Sequence, residues 1–180
     1  MFADFPQIVP QKICLSCQGC CRYKEAESLW RPKVAPEELE ANEHKKDLTR
    51  ALGQDGYLKT VPPQGTPFGR KERGQDRCTF LNSGTNKCGV YTGRPFECRL
   101  YPFLLTRCEK NGRVAVSVHL SCPYVQESRH SPEFEQHVGV LKEYLSGEAQ
   151  TRFLKNNPEL FGDYNGYKDE IKELFTLELS

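Results

Sequence analysis

Residues 13–25 read ICLSCQGCCRYKE, which sets Cys14, Cys17, Cys20 and Cys21 within one short run. The spacing C-x2-C is the tightest at which two thiolates comfortably share one tetrahedral metal, and zinc fingers, zinc ribbons and iron–sulfur clusters all use it. Here it occurs twice, overlapping. The triple Cys14, Cys17, Cys20 also matches the first three ligands of a bacterial ferredoxin run, whose fourth is a Cys-Pro pair after three residues. Position 24 is Lys24, and the Cys-Pro pair stands far downstream as Cys122-Pro123. Cys20 and Cys21 are adjacent, so their side chains are expected to point apart and to serve two metals or bridge them. Gly19 leaves room for the tight backbone that packs three ligands into one loop.

Working outward, the chain holds 9 cysteines in 180 residues. Disulfide scaffolds are shorter and denser, and an odd count leaves one thiol over. In a reducing compartment, clustered thiols serve as metal ligands or redox groups. Cys78, Cys88, Cys98 and Cys122 join the first four to make eight candidate metal ligands. Eight divides into two four-cysteine sites or one multinuclear site. Cys108 lies inside a strand pattern beside Glu109 and Lys110 and reads as the thiol left over. His119 could substitute as a ligand, but a strand-end histidine with an ordinary hydrogen bond is the plainer reading. His44, His130 and His137 fall in helical, solvated contexts. Four thiolates around a divalent ion leave a formal charge of about −2, which Arg22, Lys87, Arg94 and Arg99 could offset by donating to sulfur. For each of these cations the competing role is an ordinary surface or carbonyl-capping one.

Hydrophobic residues make up 37% of the chain. On the usual count, with glycine added and tyrosine left out, this is slightly under the about 45–50% of globular domains. Something besides apolar burial is expected to help hold the fold. With 25 basic and 24 acidic residues the formal charge is +1, which gives no reason to expect nucleic acid or an anionic membrane as partner. The basic run Arg70, Lys71, Arg73, Arg77 reads as a solvated loop. No apolar stretch is long enough for a membrane span. The N-terminal MFADFPQIVPQKI lacks the pattern of a secretory signal, and the expected compartment is the cytoplasm.

The patterning predicts an α+β fold, a small single domain over residues 1–180. A cysteine-cluster core is expected over 14–124 and a helical tail over 125–180. Residues 1–13 read as extended, with Pro6 and Pro10 denying regular structure. PEELEANEHKKDLTRAL (36–52) reads as one helix, opened by Pro36 and stopped by Gly53. Residues 53–77 read as a long Gly/Pro-rich loop, mobile or functional. CTFLNSGTNKCGVY (78–91) reads as a hairpin with Cys78 and Cys88 at matching ends. RPFECRLYPF (94–103) suggests a helical turn or two between Pro95 and Pro102. A second hairpin turns at Asn111-Gly112, with Val114, Val116 and Val118 on one face. Beyond it come three helices. The first is capped by Ser131 and ended by Gly147, with Phe134, Val138, Leu141 and Leu145 inward. The second carries Phe153 and Leu154, and the third Tyr167, Ile171, Leu174 and Phe175.

Taken together, CLSCQGCC, then CTFLNSGTNKCGVYTGRPFECRLYPF, then SCPY closely resemble the YkgJ family of cysteine-cluster proteins, the CxxCxxCC family. The likeness covers about residues 14–124, and its string of cysteines with C-x-[FL]-L, Y-x2-R-P-x2-C-R and [YF]-P is far more specific than a lone CxxC. The family's cysteines correspond to Cys14, Cys17, Cys20, Cys21, Cys78, Cys88, Cys98 and Cys122; Cys108 lies outside the pattern. The resemblance implies chelation of zinc or iron and little more. A related cysteine cluster occurs in the flagellin lysine-N-methylase family, which implies a methyl-transfer enzyme or accessory factor.

The residues thus admit a metal-binding protein for zinc or iron, an iron–sulfur redox protein, and the methyl-transfer reading. A Gly-rich loop for a nucleotide-like methyl donor is missing from the sequence. A thiol oxidoreductase needs one exposed, low-pKa thiol, and eight ligand-like cysteines exceed that need. No Gly-x-Ser-x-Gly, P-loop or His-Glu-x-x-His is present. The metal ion is the one expected partner.

Overall fold

The computed structural model describes residues 5, 7–17, 19–62, 76–108 and 113–179. It is an α+β structure of short antiparallel sheets and helices. Its contacts gather into two compact units, one of Cys14–Cys98 and one of Arg99–Ser180 with Met1–Ile13.

The Cys14–Cys98 unit begins within α1 (Gln11–Cys17), which is followed by a 3-10 turn over Gly19–Cys21 and the short β1 (Arg22–Tyr23). The extended reading of 1–13 therefore fails at residue 11. Pro10 accepts the Ile13 N–H at 2.9 Å, a start that a proline ahead of the first turn favours rather than forbids. The helix expected over 36–52 is two, α2 (Pro36–Glu40) and α3 (Lys45–Ala51). The break lies at Asn42, whose Oδ1 accepts the His44 N–H at 2.9 Å while its Nδ2 donates to the Gly93 carbonyl at 3.0 Å. Such a side chain offers the backbone an alternative to the helix.

The expected loop 53–77 is not all loop. Gly53 donates to the Tyr57 carbonyl at 2.8 Å, Gly56 takes φ +80°, and β2 (Thr60–Val61) and β3 (Asp76–Cys78) lie within the same stretch. β3 is the central strand of three, antiparallel to β1 and β2. Of the basic run, Arg77 lies on β3; Arg70, Lys71 and Arg73 lie outside the described residues. The next hairpin is β4 (Leu81–Asn82) against β5 (Lys87–Cys88). Its turn is built by Asn82, whose Oδ1 accepts from the Gly84 and Thr85 N–H groups, and by Asn86 at φ 56°. Cys88 pairs with Leu81, not Cys78, because Cys78 is already spent on β3 opposite Thr60. The unit's last helix is α4 (Phe96–Leu100). Tyr23, Val34, Leu48, Ala51, Leu58, Cys78, Leu81 and Val90 form its apolar core. The buried Arg31 ties the loops around it, reaching Glu27 and Asp55 at 2.8 Å each and lying 4.7 Å over the Tyr57 ring.

The other unit is built on β6 (Phe103–Arg107) and β7 (Arg113–His119), paired antiparallel from Phe103↔Val118 to Arg107↔Val114. The predicted hairpin is present, and Val114, Val116 and Val118 are buried on it; its Asn111-Gly112 turn lies outside the described residues. α5 (Pro123–Ser128), α6 (Pro132–Ser146) and α7 (Glu148–Asn156) follow. α6 is capped as expected: Ser131 accepts the Phe134 N–H at 3.2 Å, and the Gly147 N–H closes its end on Tyr144. Phe134, Leu141 and Leu145 are buried on it, and Phe153 and Leu154 on α7. The expected third helix is a strand, β8 (Ile171–Glu178), antiparallel to β7 from Arg113↔Glu178 to His119↔Ile171. A bulge opposite Val116 and Ser117 leaves Leu174 between Phe175 and Glu173. That extra residue stretches a two-residue alternation into the 171, 174, 175 spacing that mimics a helix.

Candidate metal centre

The first cysteines are positioned by helical geometry. Cys14 and Cys17 sit three apart on α1, so they share a face. Asn86 donates to the Leu15 carbonyl at 3.1 Å, tying this turn to the β4–β5 hairpin. The chain then tightens. The Gly19 N–H lies 3.4 Å from the Cys17 sulfur, and a Cβ on Gly19 would come within 3.2 Å of it. Glycine is used here for space. The 3-10 turn carries Cys20 and Cys21, and their sulfurs lie 3.8 Å apart. The expectation that these neighbours point apart is thus overturned, because the tight turn rotates both thiols to one side. Cys20 is exposed, as is Cys17; Cys14 and Cys21 are half-buried.

Three other segments bring their thiols to the same place. Cys78 is buried at the end of β3, and Cys88 and Cys98 are half-buried on β5 and α4. Cys21, Cys78 and Cys88 all pack on the unit's apolar core. The charges of these groups act on one another. Cys21 is driven well above the ordinary thiol range by the hydrogen bond with Cys20, then by burial, with Cys20, Cys78 and Cys98 adding to it. Burial lifts Cys98 far up, with Cys78, Cys20 and Cys88 in support. Burial also pushes Cys78 to about 11 and raises Cys88. Cys20 goes the other way, held down by the Cys21 thiol and, more weakly, by the Arg94 charge. Arg94 also favours the Cys88 thiolate; it is held by donating to the Tyr91 carbonyl at 3.1 Å and by lying 4.0 Å over the Tyr91 ring. The Tyr23 hydroxyl donates to the Cys20 carbonyl at 3.3 Å, and burial, with Cys78 next, pushes its pKa well up.

Five of the eight sequence-predicted ligands, Cys20, Cys21, Cys78, Cys88 and Cys98, therefore stand within electrostatic reach of one another. Cys14 and Cys17 belong to the same unit. Cys122 belongs to the other, buried at the N-terminal end of α5, as does Cys108, whose N–H donates to the Arg113 carbonyl at 3.0 Å. None of the nine cysteines is in a disulfide. His119 makes the ordinary contact expected of it, Nδ1 to the Tyr101 hydroxyl at 3.2 Å. His137 is not solvated as expected. Its ring stacks on Phe103 at 5.8 Å and meets the Phe5 ring edge-on at 5.0 Å. Of the four expected counter-charges, Arg94 acts on the thiols, whereas Lys87 is exposed, Arg22 lies on the sheet face away from Cys78, and Arg99 is half-buried on α4.

As they stand, no three Cys, His, Asp or Glu side chains among the described residues are arranged to hold a metal ion. The donor set itself fits a thiophilic cation. Burial keeps Cys78, Cys88 and Cys98 protonated at neutral pH, and a bound zinc or iron ion replaces those protons with its own charge. Such an ion would supply cross-linking between four chain segments and, if iron, redox capacity.

A cysteine-rich class of domain is what this unit defines. Residues 13–130 match the model of the CxxCxxCC family, described as "Putative zinc- or iron-chelating domain". The chain belongs to that family. No curated protein and no solved structure matches it.

Proposed function

We propose that this protein binds zinc or iron through its clustered cysteines and that the metal is part of its folded state. The observation that carries the reading is that Cys20, Cys21, Cys78, Cys88 and Cys98, from four separate segments, stand within electrostatic reach of one another, with Cys21, Cys78 and Cys88 on one core. Cys14 and Cys17 complete the thiols of that unit. Cys122 enters through the family's cysteine pattern alone, and a Cys122→Ser variant with unchanged metal content would remove it. More than four thiols in one unit favour two sites or one multinuclear site over a single tetrahedral ion. Nine cysteines with none in a disulfide fit a reducing compartment, so the cytoplasm is the proposed location. Among the described residues no helix is long and apolar enough to cross a membrane.

The deciding experiment is elemental analysis of anaerobically purified protein with its visible spectrum. Iron with acid-labile sulfide and a broad absorbance near ~400 nm makes this an iron–sulfur protein, the alternative favoured by the ferredoxin-like triple. Colourless protein with about two zinc per chain makes it a zinc site. Metal-free protein with every thiol open to titration would sink the proposal. The methyl-transfer reading rests on resemblance alone, and an unchanged melting temperature in millimolar S-adenosylmethionine would remove it.

A further inference from the structure

Two buried arginines in the Cys14–Cys98 unit have opposite circumstances. Arg31, 7% exposed, is surrounded by acceptors: Glu27, Asp55 and the Ser28 carbonyl at 3.1 Å. Arg77, 9% exposed, is not so surrounded: its Nε and Nη1 are buried without a hydrogen-bond partner. A guanidinium stays charged at any physiological pH, and a buried charge is ordinarily paired. Arg77 is therefore a buried cation with two unanswered donors.

Its position adds to the case. Arg77 lies on β3, the central strand, with Arg22 directly across on β1 and Val61 across on β2. Directly opposed residues of an antiparallel pair project to the same face, so Arg22 and Arg77 stand together. Like charges at such positions repel. The neighbouring Cys78 and Tyr23 project to the other face, with the thiols and the core. The metal–thiolate charge thus lies on the wrong side of the sheet to answer Arg77. A guanidinium grips a carboxylate or phosphate by its Nε/Nη2 edge or its Nη1/Nη2 edge. Each of those edges carries one of the unpaired donors.

We propose that this sheet face binds a small oxyanion, a phosphate or a carboxylate, held by Arg77. The site is independent of the cysteine cluster and lies on the face of the three-stranded sheet opposite Cys78.

The test uses the full-length, metal-loaded protein in a phosphate-free buffer. Inorganic phosphate and sodium acetate are titrated separately, against sodium chloride of equal ionic strength. Phosphate or acetate at ~20 mM is expected to raise the melting temperature by roughly 3–6 °C more than chloride does, the size expected for a millimolar ligand of the folded state. A response to phosphate alone identifies a phosphate site, and one to acetate alone a carboxylate site. Arg77→Gln should abolish the difference. Metal content is measured on the variant, so that loss of metal and loss of anion binding are read apart. Where Arg77→Gln does not fold, the Arg77 Nε–Hε resonance of the wild-type protein replaces it. Saturable movement of that resonance with either anion supports the site. Equal stabilisation by chloride, retention of the shift in Arg77→Gln, or a resonance unmoved by either anion would overturn it.

Discussion

The sulfurs of Cys20 and Cys21 lie 3.8 Å apart, and the contact splits their acidities, lowering Cys20 and raising Cys21. A shared proton between adjacent thiols leaves one sulfur closer to thiolate than the other. In reduced, metal-free protein at neutral pH, iodoacetamide should therefore modify Cys20 ahead of Cys21, Cys78 and Cys98, because only the thiolate reacts. Arg94→Gln should slow the Cys20 reaction. Peptide mass spectrometry over a time course checks the order, and Cys98 reacting first would contradict it.

Metal content should follow the unit to which a cysteine belongs. Cys98→Ser and Cys78→Ser are expected to lose bound metal and to melt at markedly lower temperature, as should the wild-type protein after strong chelation, since metal free energy is folding free energy. Cys108→Ser should keep the wild-type metal stoichiometry. Plasma emission analysis with differential scanning fluorimetry gives both quantities. Equal metal in all three variants would refute the assignment.

Asn42 ends α2 and holds Gly93 at once. Asn42→Ala should cost about 1–2 kcal/mol of stability, the range for loss of two side-chain hydrogen bonds. A Cβ on Gly93 would fall 2.4 Å from Asn42 Oδ1, so Gly93→Ala ejects the same side chain. The two losses should be less than additive in denaturant unfolding. Full additivity would show that they do not share this contact.

Acid should weaken the Arg99–Ser180 unit through His137. Burial lowers its pKa below 6.5. As pH falls through the ordinary histidine range, the unfolded chain binds a proton that the folded chain refuses, so stability present above about pH 6.5 is lost below it. His119, also lowered by burial, has the same sign. Glu97, which burial pushes up to about 7, has the opposite sign, since its folded form takes the proton first. The diagnostic quantity is the difference: His137→Phe, which keeps the stack on Phe103, should lose less stability than wild type between pH 7.5 and 5. Parallel profiles would rule the histidine out.

Local signals made part of this molecule readable. Val114, Val116 and Val118 alternate and form β7; Ser131 and Gly147 bracket α6; and the cysteine pattern pointed to thiols of which Cys20, Cys21, Cys78, Cys88 and Cys98 act on one another. The failures lie where a distant residue decides. Lys172, Glu173 and Leu174 favour a helix intrinsically, but pairing with β7 and one bulge make them strand. The interruption at Asn42 depends on Gly93, far along the chain. Strands of two or three residues, such as those that oppose Arg22 and Arg77, are too short for any alternation to register.

Both ends of the Cys14–Cys98 segment lead into the same companion unit, Met1–Ile13 on one side and Arg99 onward on the other. Topologically the cysteine-bearing part is a parenthesis within a sentence rather than a phrase at its end. Were it to come apart on losing its ion while its companion stayed folded, it would become a closed loop instead of a free tail. Closing a loop costs entropy that grows only with the logarithm of its length. The release of metal would thus be a local opening with both ends still moored, and the route back to the folded state would begin from a chain already partly confined.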